Sequence, residues 1–461
     1  MKRIWAPAAP LLLGVFACLG ASVGGSWLLQ GLHQLIRTNW TGAWVGDAAI
    51  DHAAAKLFWR GISPYTPEGL ALIGVSGFGH PPTTPFWFLP LTAFEHAAMA
   101  HFVALANLAM LIALVATAVF TLRFPLPLVT TLVIVGYVQN SLVTFDHNVL
   151  VQLSMAIAFA TVLGWKYLRD GKELRGGAAL GLACTLKPFT GVLVVLLLLS
   201  GRFRAVAAAV AAFFAVASVM TWRWGISAWR LFFEQQDAIA RSWIDTVRNA
   251  SLQGIVRRLL KPRCDPAVID ETTIRWATLA ACLFVLGACV WIALRAPRGQ
   301  IDRTNFDLKY ALFCVLGPFI NPWVWEHYVF ILILPMLVVA RTFGEHFVAS
   351  FRQWAGSNGG FRPAILMLTS AAALVPLAVI PGWTQVTLYV NQGATQEYCE
   401  YSGPAEVKRW LLRRAQYFEL TSWLPWAITL VLLALLLLLR FPRRGASSSS
   451  TSGVARALGS R

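Results

Sequence analysis

Apolar runs long enough to cross about 30 Å of hydrocarbon recur along the whole chain. They fall at residues 9–30, 97–121, 126–143, 148–165, 204–222, 274–294, 306–320, 328–341, 362–380 and 422–440. Runs of about 20 predominantly apolar residues read as membrane-crossing helices. The chain is 57% hydrophobic and only 13% charged, with a mean hydropathy of +0.62, too apolar for a water-soluble protein. The expected fold is therefore an all-α polytopic membrane protein. Lys2 and Arg3 precede the first run as in a signal peptide. No small-x-small cleavage site with a polar start follows it, so it is kept as an uncleaved span.

The net charge of +17 would point to nucleic acid in a soluble chain. In a membrane protein, cytoplasmic loops rich in Lys and Arg account for it, and no nucleic-acid partner is expected. Of seven cysteines, five (Cys18, Cys184, Cys282, Cys289, Cys314) lie within apolar runs, and no CxxC or Cys/His ligand spacing occurs. Neither a zinc site nor a disulfide framework is indicated, and no metal is expected. Cys264 and Cys399 fall in hydrophilic loops, where a pairing is open to them. The Ser-rich tail 445–461 is low-complexity and expected to be disordered.

Basic residues set an orientation. With Lys2 and Arg3 inside, Arg123 and the stretch 166–175 also fall inside, and residues 31–95 and the segment around Asp146 fall outside. Residues 176–200 would bury Lys187 at mid-membrane if they crossed once. Arg202 and Arg204 beyond them read as cytoplasmic, so two half-helices, 176–186 and 188–200, meeting at Lys187-Pro188 suit both flanks. Pro188 is a natural break because it removes a backbone donor. The rest places 223–273, the 321–328 stretch and 382–421 outside, giving about 12 segments with both termini cytoplasmic. The 223–273 loop carries eight Lys and Arg, against this assignment. A single membrane domain over 1–444 results, in a plasma (inner) membrane. Residues 47–60, DAAIDHAAAKLFWR, have apolar residues at helical spacing and predict a short amphipathic helix lying on the membrane, with Asp51, His52 and Lys56 on its other faces.

Ionisable groups gather at the outer ends of these runs. NPWVWEHY, residues 321–328, puts Glu326 beside His327 between two apolar stretches. Asp47 and Asp51 follow the first run, and Lys187 interrupts another. Such groups are expensive at membrane depth and mark function. They suggest a membrane-embedded enzyme with its site at one face.

Several motifs, in order, resemble glycosyltransferase family 87, of the GT-C class. They are Asp47 with Ala53-Ala54, Gly61 and Pro64-Tyr65; His80-Pro81-Pro82; Phe145, Asp146, His147 and Asn148; Lys187-Pro188; Asn249, Ser251, Leu252 and Arg258; and Asn321, Pro322, Trp325, Glu326 and His327. Phe145, Asp146, His80 and Glu326 depart from the family pattern. The resemblance spans about residues 45–340. It implies a GT-C-type bundle that transfers mannose or a related sugar from a polyprenyl-phosphate carrier to a lipid-linked or glycan acceptor. Transfer would occur at the outer face with inversion, and the sugar phosphate is a donor substrate, not a cofactor.

On that reading Asp47 is the general base for the acceptor hydroxyl. Asp51, one turn later, is a supporting or structural residue. Lys187 and Arg258 stabilise the departing phosphate. Two roles are open to His327: a cation for the donor phosphate, or a base coupled to Asp47, with Glu326 orienting it. Asn148 and Asn249 are sugar or phosphate ligands or else cap turns. Asp146, His80 and Tyr328 complete the substrate-binding set, and the aromatic segment 79–90 helps to close the site. The rival reading is a transporter or flippase of lipid-linked sugars, whose ionisable residues would line a path. The absence of an inverted repeat and the clustering of charges at one face oppose it. A GT-C transferase of another family is the second rival.

Overall fold

The computed structural model describes residues 46–124, 126–139, 152–243, 249–260, 270–295, 303–322 and 324–356, with short helical pieces between 18 and 32 and between 427 and 435. The expected span 362–380, the loop 382–421 and the tail 445–461 lie outside the described residues.

Every regular element among the described residues is helical. Helices α1 (Asp47–Arg60) and α2 (Pro67–Ile73) are followed by a 3-10 helix, Thr84–Leu91. Then come α3 (His96–Thr121), α4 (Pro127–Gln139), α5 (Ser154–Arg169), α6 (Glu173–Leu186), a 3-10 turn at Pro188–Thr190, α7 (Gly191–Leu199) and α8 (Phe203–Trp224). The chain continues through α9 (Ser227–Trp243), α10 (Leu252–Leu260), α11 (Glu271–Arg295), α12 (Arg303–Ile320), a 3-10 helix at Glu326–Leu332, and α13 (Ile333–Gly356). Four stretches are long and apolar enough to cross a membrane: His96–Thr121, Phe203–Trp224, Glu271–Arg295 and Tyr328–Glu345. Pro127–Gln139 and Pro188–Leu199 are apolar but shorter. The described helices thus make a membrane protein by length and apolarity, and several of the about 12 expected segments lie wholly or partly outside the described residues.

The chain turns back at Lys187-Pro188. A Cβ on Gly177 would sit 2.0 Å from the Ala205 carbonyl oxygen, and one on Gly181 would sit 2.1 Å from that of Ala209. The four-residue step runs the same way on both helices, so α6 and α8 are parallel, and α7 must return between them. Arg202, just before α8, donates from Nη1 to Leu168 O at 2.8 Å, which returns the chain to the end where α5 finishes. Small residues every fourth position let the two backbones approach where no hydrophobic force drives helices together. Gly181→Leu is therefore expected to force α6 from α8 and to cost at least about 1–3 kcal/mol. A Cβ at Gly287 meets nothing within 4 Å, so Gly287→Leu serves as the tolerated control. Thermal melts of the two purified variants check this; equal melting would refute the close packing.

A break at membrane depth leaves the last carbonyls of α6 without helical partners. Thr83 Oγ1 donates to Thr185 O at 2.7 Å and Thr84 Oγ1 to Leu186 O at 3.1 Å. Trp87 Nε1 donates to Thr185 Oγ1 at 2.9 Å. The segment 79–90, expected to help close the site, is thus bolted to α6 as a fixed wall.

The core is carried by α5, α12, the 3-10 helix Glu326–Leu332 and α13, where Trp165, Tyr310, Phe313 and Phe330 are fully buried. Trp165 Nε1 donates to Asp307 Oδ1 at 2.8 Å, and Arg169 Nε donates to both Asp307 oxygens at 2.9 and 3.0 Å. Helix directions give the bundle two chemically distinct ends. Arg123, Arg169, Arg303 and Arg341 line one cavity at one end. The described part of the 223–273 loop, whose basic residues argued for the arginine side, packs at the other. Gln235 and Gln236 of α9 donate to Tyr65 O and Gly79 O, both at 2.8 Å.

Candidate active site

Helix α1 covers the residues predicted for it, but it does not lie on the surface with its polar face in water. Asp51 and His52 are buried, at 1% and 2% exposure. The apolar spacing of 47–60 predicted the helix; burial of its polar side comes from the 3-10 helix Thr84–Leu91 packed against it. His52 Nε2 donates to Leu91 O at 3.0 Å. Burial pushes its imidazole below the ordinary value, against the carbonyl contact that would raise it. The end of α1 is closed by Gly61 in the left-handed region at φ 73° and by Arg223, which donates to Phe58 O at 2.7 Å and Trp59 O at 2.6 Å.

Asp47 is the first residue of α1, where the helix dipole favours a carboxylate. Its side chain is 40% exposed, and its Oδ2 accepts from Gln152 Nε2. His80 lies between two carboxylates. Its Nδ1 donates to Asp51 Oδ1 and Oδ2 at 2.7 and 2.8 Å, while its Nε2 is 3.8 Å from Asp47 Oδ2. Tyr65, buried beneath, donates from its hydroxyl to His80 O at 2.5 Å. Burial and then the Asp51 carboxylate push the Tyr65 phenol well above its ordinary value, so it stays a neutral donor. Asp51, His80 and Asp47 thus form a chain running from the interior to an exposed carboxylate.

Lys187 sits in the break between α6 and α7, in extended backbone at φ −148°, ψ 123°. Its ammonium lies beside the Tyr328 hydroxyl and in the field of Asp47 and Asp51. A cleft of about 290 Å³ opens on Lys187, with Gly79 and Pro81 on either side of His80, and with Gln236, Asn321 and Tyr328 on its other walls.

The sequence model of Glycosyltransferase family 87 matches residues 78–318, just over half of the chain. The chain belongs to this family. No curated protein and no solved structure matches it. The family stretch holds His80, Lys187, Asn249 and Arg258, while Asp47, Asp51 and residues 326–328 flank it.

Within this family 87 chain, the sequence-expected site residues fall into three groups. Lys187 and Tyr328 line the cleft, while Asp47 and His80 lie 3.8 Å from each other next to its Gly79 and Pro81 wall, with Asp47 in the field of Lys187. Asn249 spends its amide on the backbone. It is fully buried, its Nδ2 donates to Pro322 O at 2.8 Å, and its Oδ1 accepts from Ser251 N at 3.1 Å and Val324 N at 2.9 Å. Ser251 Oγ also donates to Pro322 O, at 3.0 Å. The Asn-x-Ser motif is thus a clip on Pro322 and Val324. Arg258 lies on α10 against that clip: a Cβ on Gly254 would sit 2.9 Å from both Arg258 Nη1 and the Asn249 amide. Its neighbour Arg257 is engaged elsewhere, with Nη1 2.6 Å and Nη2 3.1 Å from the Glu271 carboxylate. Asp146 and Asn148 lie outside the described residues, as do the side chains of Glu326 and His327, whose backbone begins the 3-10 helix Glu326–Leu332.

Sequence reasoning missed Gln152, Gln235, Gln236 and the Asp51–His80 clamp. Gln152 carried one signal: a buried amide (3% exposed) opening an apolar helix must hydrogen-bond something. The clamp carried none, because its partners stand 29 positions apart, with the rest of α1, α2 and their turns between them.

Proposed function

We propose that this membrane glycosyltransferase moves a hexosyl group, mannosyl first, from a polyprenyl-phosphate sugar to a lipid-linked or glycan acceptor. The reaction takes place at the outer face of the plasma membrane, in a bundle of GT-C type, with inversion. The observation that carries this is a cleft opening on a lysine, Lys187, that lies in the field of a 40% exposed carboxylate, Asp47. Sugar transfer from a phosphate needs both.

The step balances as a single displacement. The acceptor oxygen attacks the anomeric carbon while its proton passes to Asp47 Oδ. The bond from that carbon to the phosphate oxygen breaks, and its electron pair leaves with the polyprenyl phosphate. Lys187 faces that developing charge, with Arg258 and His327 completing the phosphate site. Asp51 fixes His80 so that Nε2 faces Asp47, the arrangement by which a buried carboxylate orients a histidine toward a reacting group. His80 can then take the proton from Asp47 and reset it.

On sequence alone, Asp51→Asn would be mild. The clamp changes that expectation. Asp51→Asn should lower kcat by up to about a hundredfold through misplacement of His80, with donor KM little changed. The doubly substituted Asp51→Asn/His80→Asn protein should be no slower than His80→Asn alone, since both remove one unit. Additive losses would separate the two residues and refute the clamp's role.

The reaction is tested by incubating the purified protein with a panel of radiolabelled polyprenyl-phosphate sugars and membrane lipid extract. Label transferred to a lipid or glycan supports the enzyme. Flux of lipid-linked sugar across vesicles without transfer would replace it with the transporter reading.

A further inference from the structure

At the end of the bundle opposite the cleft, three helix ends and the body of α13 bring arginines to one cavity of about 220 Å³. Arg123 follows α3, Arg169 ends α5, Arg303 opens α12 and Arg341 lies on α13. Two carboxylates share the lining, Asp307 and Glu345. Asp307 is bound to Arg169 at 2.9 Å and Glu345 to Arg341 at 2.8 Å. Two positive charges are left over, on Arg123 and Arg303. Both are exposed, and among the described residues neither side chain has a hydrogen-bonded or ionic partner.

The cavity is a built one. Arg169 is held from behind, only 16% exposed, with its guanidinium 5.7 Å from the Trp165 ring centre and fixed on buried Asp307. Arg123 occupies the left-handed region at φ 56°, which side-chain-bearing residues rarely adopt. The turn is fixed by Arg123 N donating to Phe120 O at 3.2 Å and Phe124 N to Val119 O at 3.1 Å. At about 30 Å³ per water, the space admits a phosphate with part of its hydration shell. Planar guanidinium groups match phosphate oxygens in pairs. Helix ends that border lipid headgroups meet phosphates at that depth.

We propose that this cavity is a second, non-catalytic binding site, which takes a phosphate group through Arg123 and Arg303 while Arg169 and Arg341 frame it. The phosphate comes from an anionic lipid headgroup or from free phosphate. The site is independent of the transfer chemistry, so its failure and that of the proposed reaction are separate results.

The test uses the full chain in phosphatidylcholine nanodiscs, with phosphatidic acid in the bilayer or with inorganic phosphate in the buffer. Thermal melting is the readout. Binding to the folded state should raise the melting temperature by about 2–4 °C, less at high salt. The rise should vanish in Arg123→Gln/Arg303→Gln, whose side chains are exposed and hold nothing else together. It should persist in Arg175→Gln/Arg204→Gln, which removes the same charge from exposed positions outside the cavity. A rise with phosphatidic acid alone identifies a lipid headgroup; an equal rise with inorganic phosphate identifies free phosphate. No rise with either probe, an undiminished rise in Arg123→Gln/Arg303→Gln, or an equal loss in the control pair would overturn the site.

Discussion

Asp47→Asn is expected to slow transfer by about 100- to 10,000-fold while the protein folds and binds donor as before. The amide keeps the shape of the carboxylate and the contact with Gln152 Nε2, which needs only an acceptor oxygen. It cannot take a proton from the acceptor hydroxyl. The substituted side chain is 40% exposed, so little packing is disturbed and the loss should lie in turnover. Steady-state kinetics at saturating donor measure it. Turnover within a few-fold of the unsubstituted protein would remove Asp47 from the reaction and move the base to His80.

Lys187→Gln should lower turnover by about 100- to 1,000-fold and also weaken donor binding, since the cation faces the phosphate both before and after it departs. Lys187→Arg should recover part of the binding but less of the rate, because a planar fork cannot reproduce the position of a point charge beside Tyr328. Tyr328→Phe removes only that partner and should be milder than Lys187→Gln. Donor binding by calorimetry, read beside turnover, separates the two effects. Unchanged affinity and rate in Lys187→Gln would mean that the lysine is no more than an anchor for the helix break.

How much of this was legible depends on whether the signal was local. The hairpin at Lys187-Pro188 was readable because basic residues on both sides conflicted with a single crossing, and Pro188 supplied the break. The helices α3, α8, α11 and α12 were readable from apolar length to within a few residues of their observed bounds. The grouping of Asp47 with Lys187 was inferred from topology and the resemblance. Interactions between distant segments were not readable. Thr83 and Thr84 look like loop residues until the carbonyls of Thr185 and Leu186 are seen to need donors. Asn249 has the same chemistry whether it clips Pro322 or holds a sugar, so sequence left both roles open. The polarity of Asp51 and His52 argued for a wet helix face, and only the covering 3-10 helix makes it dry. Part of the expected count of segments falls on residues outside those described, and among the described residues four stretches are long and apolar enough to cross.

The central claim is a one-step displacement with Asp47 as base, and the anomeric configuration of the product tests it most directly. Of the two carboxylates on His80, Asp51 has both oxygens on the ring and Asp47 is the exposed one. A base and a cation support direct attack by the acceptor, which inverts the anomeric carbon. Proton NMR of the purified product, compared with the donor, should show the opposite configuration. Retention would require a covalent sugar intermediate on a side-chain nucleophile and would contradict the account.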